Sequence, residues 1–336
     1  MAFLIQQVFL YTVPLLIVAL AGIYAERSGI INLALEGGMV IGAFSGVLTV
    51  RLLQQSGFFT TENGQLLLLI AFVVSGAVGA AFSLLLSFAA VNLKANQTIS
   101  GTALNMLAPA LSLFLINIIA RQSALNMAKG DAAEWFMIFK TDFGFERNQD
   151  IGLLGEIFLN KAYLTTYLCI LLYIVLSVLL YKTRFGLRLR ACGENPQAAN
   201  SLGINVSRMR YAGTTISGML AGIGGFVYAL TTANCSSTGE VAGFGFIALA
   251  IMIFGNWKPL NTAGAAFLFG LFKCIAATYN DIDLNGDGVY LLREIGISRY
   301  FYLMMPYIIT LLVLVFTSKS SRAPKAEGIP YDKSMR

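Results

Sequence analysis

The chain has 336 residues, 57% of them hydrophobic and only 12% charged, and its mean hydropathy is +0.72. A soluble domain carries about 25% charged and 45–50% apolar residues, so this composition excludes an ordinary soluble protein and points to a polytopic membrane protein. The formal charge of +6 and the pI of about 9.1 trace to basic loops and a basic tail, which reads as membrane topology and not as nucleic-acid binding.

Apolar runs of roughly bilayer length, about 20 residues each, fall near 3–23, 29–50, 66–91, 99–120, 163–181, 211–230, 243–256, 261–279 and 301–318. They predict an all-α membrane helix bundle of about nine spans, the seventh short or broken. Residues 1–318 form the transmembrane domain and 319–336 a cytoplasmic basic tail. The first run is no cleavable signal, because it lacks a basic leader and Glu26-Arg27 is followed at once by another apolar run.

The second run carries Gly38, Gly42 and Gly46 at intervals of four. That spacing lines one helix face with glycine and lets a neighbouring backbone approach closely, and Gly218 and Gly222 repeat it in the sixth run. The same run holds Asn32 and Glu36. A carboxylate at such depth is costly in lipid, so Glu36 should face the bundle interior or a water-filled path. Gly37-Gly38 beside it would then break the helix and expose backbone to a cavity. The competing reading puts Glu36 at the cytoplasmic interface, paired with Arg27. Asn96, Gln97, Thr98, Asn105 and Asn117 give the fourth run a polar stripe, and Thr98, Thr102 and Asn105 share one helical face. Such a stripe suits the hydroxyls and amides of an uncharged polar substrate, and interhelical hydrogen bonding explains it equally.

The loop at 121–162 has slightly more acids than bases and is placed outside, covering the substrate mouth. The 182–210 loop sets Lys182, Arg184, Arg188, Arg190, Arg208 and Arg210 against Glu194 alone, which places it in the cytoplasm. The N-terminus is then outside and the C-terminus inside. Within this loop Asn195 is a good N-cap, Pro196 suits the first helical position and Gly203 supplies the stop. The expected helix, about Pro196 to Leu202, presents Gln197 and Ala198 to a soluble partner.

The seventh run begins with Phe244 and Phe246, read as base-stacking aromatics at an outer mouth or as core. Trp257, at its inner end, is read as an anchor in the headgroups. An external insertion holds Asp283, Asn285, Asp287 and Glu294 in the order of an EF-hand loop. Leu291 at the ninth ligand position and Gly296 in the flanking helix argue for a polar turn instead of calcium. No histidine is present, no acid–base or nucleophile set clusters, and the four cysteines show no metal or disulfide spacing. An enzyme is not expected.

Four ordered segments resemble one family: AERSGIINLALEGGMVIGAF (25–44), KANQTISGTALNMLAPAL (94–111), TRFGLRLRACGENPQAANSLGI (183–204) and GFGFIALAIMIFGNWKPL (243–260). They look like permease subunits of bacterial ATP-binding-cassette importers of the branched-chain amino acid, ribose and nucleoside group. ERSGIINLALEGG is most similar to the nucleoside branch. Asn200, where a charge is common, and the insertion near 280–296 depart from the pattern. The resemblance implies a bacterial cytoplasmic-membrane protein and a second, homologous or identical permease chain. It also implies ATPase subunits docked on the 182–210 loop and a substrate-binding lipoprotein outside. The chain has no G-x-x-x-x-G-K-[ST] loop to cradle ATP, so the motor is expected in a separate chain. The alternatives are the same machine importing a sugar or branched-chain amino acid, and an ion-coupled secondary transporter working through Glu36.

Overall fold

In lipid a spanning segment must satisfy its own backbone groups, so apolar runs of this length become helices. The computed structural model describes residues 2–130, 132–146, 151–278, 298–317 and 323–332. Seven of its helices are long and apolar enough to cross a membrane. They are α1 (Ala2–Arg27), α2 (Leu35–Gln55), α3 (Gly64–Ser87, continued by a π-turn), α4 (Gln97–Ala120), α7 (Leu164–Lys182), α10 (Val206–Thr231) and α12 (Pro259–Ala277). Two more apolar helices are α11 (Phe244–Phe254) and α13 (Arg299–Thr317). Helices α5 (Ala132–Phe136) and α6 (Gly152–Leu159) lie in the 121–162 loop, α8 (Arg184–Glu194) and α9 (Pro196–Ser201) in the basic loop. The only strands among the described residues are two antiparallel bridges, Leu125–Asn126 with Ser236–Ser237 and Met137–Ile138 with Ala162–Tyr163. The expected all-α membrane bundle, with its short seventh span, is what forms.

Helices α1 and α10 are each 78% buried and α2 nearly as much, whereas α4 is only 22% buried. The first three therefore make the centre and the others ring them. Leu, Ile and Phe on the outer faces of α3, α4 and α7 remain exposed, as expected of helix faces turned to lipid or to another membrane chain. Glycine sets how closely the centre packs. A Cβ built on Gly42 would run into the carbonyl of Gly222, one on Gly46 into the Phe226 ring, and one on Gly79 into Gly218. Gly42→Val must therefore drive α2 off α10, an overpacking cost of about 3 kcal/mol or more. The amount of protein recovered in membranes should fall at least about fivefold, as read by blotting.

Basic segments gather at one end. Arg27 meets Glu194 of α8 and lines one cavity with Lys258, while Lys94, Arg210, Gly193 of α8 and Ala199 of α9 meet residues 323–332 there. The 121–162 loop caps the opposite end, where Gln54 accepts from the Ala128 N–H at 2.8 Å and Trp135 and Phe136 are buried. All four cysteines are free and buried.

The predicted second span needs correction. Its helix starts at Leu35, not at 29, and residues 28–34 are non-helical. Gly29 adopts φ +93°, and the carbonyl and amide groups freed by the break are taken by other elements. Ile31 N–H donates to Gln97 Oε1 (2.8 Å), and the Leu33 carbonyl accepts from Asn105 Nδ2 (2.6 Å). Gly37 and Gly38 do not break the chain. They lie in the first turn of α2, against Asn105 and Ala221.

Candidate functional site

Helix α11 has 11 residues, about 16 Å of rise, roughly half the hydrocarbon core. Its inner end turns into Trp257, beside the end of α1, so Phe244 starts near mid-membrane and not at an outer mouth. Asn32 lies at similar depth. Its Nδ2 donates to Ser217 Oγ at 2.8 Å, and Ser217 is eleven residues into α10, about 16 Å from its start. Two helix N-termini, those of α2 and α11, therefore meet halfway across the bilayer.

Glu36 joins them. Its Oε1 accepts from Gly243 N–H at 2.9 Å and its Oε2 from Gly245 N–H at 2.6 Å. Gly243 is the N-cap of α11, with φ +74° and no side chain to cap the helix. The carboxylate supplies that cap from a different helix, satisfying donors that lipid could not, at the end of the helix dipole that favours negative charge. A Cβ on Gly245 would press on the Glu36 backbone, so the contact between the helices is direct. Lys273 of α12 is the nearby positive charge that acts on Glu36 through space, without a direct ion pair among the described residues. Its ammonium lies 5.1 Å from the Phe244 ring centre and 5.9 Å from that of Tyr307. The reading of Glu36 as a partner of Arg27 is overturned, since Arg27 pairs with Glu194 instead.

Phe244 is buried, with its ring centre 4.7 Å from that of Tyr228, while Phe246 is exposed on the same helix. Asn105 ties α4 to the break at both sides, since its Oδ1 also accepts from Gly37 N–H at 2.8 Å. Thr98 and Thr102 are not brought to Glu36. Both are exposed on α4, and Thr102 Oγ1 donates to the carbonyls of Thr98 and Ile99 within its own helix. Sequence reasoning missed Lys273 and Ser217, whereas Gln97, part of the polar stripe read in the fourth run, does take a break amide, that of Ile31. Lys273 carried a signal, being the one charge inside the eighth apolar run; Ser217 carried none.

At the basic end the capping signals hold. Asn195 Oδ1 accepts from Ala198 N–H at 3.0 Å, Pro196 opens α9, and Gly203 takes φ +79°. Gln197 and Ala198 face solvent, and Leu187 and Leu202 are exposed beside them, 62% and 82%. Arg190 stacks 4.7 Å from the Tyr181 ring centre, and Glu194 meets Arg27 at 3.4 Å. Cys192, Ala199 and Val206 form a small core under α9 with Tyr331 of the tail; burial pushes the Cys192 thiol up to about 11. Gly193 touches the Arg27 carbonyl, so α8 bears directly on the break that precedes α2.

Residues 323–332 are docked across this end. Ala326 N–H donates to the Gly193 carbonyl (2.8 Å), Gly328 N–H to that of Gly29 (3.2 Å), and Arg210 Nη1 to that of Ile329 (2.9 Å). Lys94 pairs with Asp332 at 2.6 Å. Burial holds the Glu327 carboxyl above the usual carboxylate range, against the opposing pull of Glu26 and Arg27. The docked segment therefore binds that proton more tightly than a free one, so docking is strongest at low pH and weakens as pH rises through the raised value. Glu327→Gln should weaken this dependence, leaving the part carried by the neighbouring Glu26, as read by protease release of the tail across a pH series.

Trp257 is not a headgroup anchor. It is buried, and its indole N–H donates to Glu26, because Asn256 and Trp257 both take positive φ and turn the ring inward. Asp283, Asn285, Asp287 and Glu294 lie outside the described residues. Among the described residues no cluster suited to a metal ion occurs.

Long apolar helices, with the N-termini of α2 and α11 meeting at mid-membrane and pinned there by one carboxylate, together with a capped helix on the basic end, are the architecture of a membrane transport component. The family model described as branched-chain amino acid transport system / permease component matches residues 4–315, and the chain belongs to that family. It is a multi-pass protein of the bacterial inner membrane. It is 39% identical over 331 residues to the nucleoside ABC transporter permease protein NupC of Lactococcus lactis subsp. cremoris, covering 98% of this chain and 97% of the relative. Identity is 38% over 336 residues to the guanosine ABC transporter permease protein NupQ of Bacillus subtilis, covering 100% and 98%. It is 30% over 273 residues to the putative glucose ABC transporter permease protein TsgC13 of Haloferax volcanii, covering 81% and 76%. No solved structure matches.

Proposed function

We propose that this chain is one of two permease subunits of an ATP-driven nucleoside importer, with ATP hydrolysed in separate chains. The full-length similarity to NupC and NupQ is the main support for the cargo. The exposed faces of α4, with Thr98 and Thr102, and of α11, with Phe246, which both pack on α2, face the second permease and line the path. Asn105 and Glu36 stand just behind it. Outside, a binding protein delivers substrate over the 121–162 cap. Inside, an ATPase grips α9. Its stroke passes through α8 and the Gly193–Arg27 contact to residues 28–34, and so to the Glu36 pin between α2 and α11.

Uptake of labelled guanosine by cells carrying the whole importer tests the reading. Other nucleosides should compete and glucose or leucine should not. Competition by glucose alone would favour the sugar reading that TsgC13 suggests. Uptake sustained by an ion gradient without any ATPase would refute the ATP-driven reading altogether.

A further inference from the structure

A cavity of about 460 Å³ opens at the basic end between α7 and α12. Arg27 closes α1, Lys182 closes α7 and Lys258 precedes α12, and all three line it. Its outer wall is apolar, with Val178 and Leu260 both exposed. Arg27 Nε and Ser177 Oγ are buried there without a hydrogen-bond partner among the described residues. Helix α12 starts at the same place with Pro259 in its first turn and no side-chain cap, so the N–H groups of Leu260 and Asn261 stay open to an anion. Glu194, half exposed, reaches Arg27 at 3.4 Å from the rim. Among the described residues no acid lines the cavity itself.

The positive-inside tendency explains why each basic residue is cytoplasmic. It does not explain why cations from three separate loops converge on one hollow with an open helix N-terminus and a greasy rim. We infer that this cavity holds the phosphate headgroup of an anionic phospholipid, its acyl chains lying along Val178 and Leu260. A free phosphate would satisfy the cations but not the exposed apolar wall at membrane depth. A basic pocket between transmembrane helices on the cytoplasmic side is the form such lipid sites take.

The test uses the assembled importer in nanodiscs of mixed phosphatidylglycerol and phosphatidylcholine, with retained lipid read by native mass spectrometry. The wild type should keep phosphatidylglycerol in preference to phosphatidylcholine. Lys182→Gln with Lys258→Gln should lower that retention about tenfold or more, whereas Arg184→Gln with Arg188→Gln, equal in charge but outside the cavity, should not. All four side chains are exposed, so neither pair disturbs packing. Equal retention in both double variants, or equal loss, overturns the site. Displacement of the lipid by excess inorganic phosphate would assign the cavity to free phosphate and overturn the lipid. So would a cysteine at Leu260 that cross-links to the ATPase.

Discussion

Glu36→Ala is expected to reduce nucleoside uptake at least about tenfold while a substantial part of the protein still inserts. The side chain caps α11 from α2 through the N–H groups of Gly243 and Gly245. Removing it leaves both donors unsatisfied at mid-membrane, at about 1–3 kcal/mol each, and takes away the negative charge that Lys273 feels. Glu36→Gln keeps the shape but turns an amide N–H₂ toward one of the two donors, so an intermediate loss should follow. Glu36→Asp is shorter by one methylene and should fail to reach both. Uptake normalised to membrane level separates these effects from poor insertion. Wild-type uptake in Glu36→Gln would show that the charge of the pin is dispensable.

Ala198→Asp should give the second large effect, of a different kind. Ala198 is exposed on α9, so no packing is lost, and an acid in the first turn suits the helix dipole. The change places a negative charge on the face proposed to receive the ATPase. Uptake should drop about tenfold or more, membrane level should hold, and ATP hydrolysis by the assembled complex should no longer respond to substrate and binding protein. A proportional fall in hydrolysis and uptake, with the complex dissociated, would mean that the contact is lost and not merely uncoupled. Normal uptake would place the docking face elsewhere.

What could be read from the residues was whatever rests on local chemistry. Asn195, Pro196 and Gly203 define α9 by capping alone. The glycines at 38, 42 and 46 define a packing face by spacing alone, and a neighbouring helix does approach it closely; that the neighbour is α10 was not readable. The start of α2 was not readable, because residues 28–34 look like any apolar stretch until Gln97, Asn105 and Ser217 from distant helices take their polar groups. Asn256-Trp257 was misjudged for a related reason. An interfacial tryptophan next to a basic residue ordinarily faces headgroups, and only two successive positive φ angles turn this one onto Glu26. The docking of residues 323–332 has no local pattern, since its hydrogen bonds are made mainly by backbone groups to partners more than a hundred residues away.

A motor must grip this subunit at α9 if the stroke is to reach the Glu36 pin. The four native cysteines are buried, so a single cysteine introduced at Gln197 can carry a specific cross-linker in working membranes. It should capture an ATPase subunit in high yield, with uptake falling in step with the cross-linked fraction. Membranes that import at the normal rate while this position never captures a nucleotide-hydrolysing partner would contradict the proposed transmission.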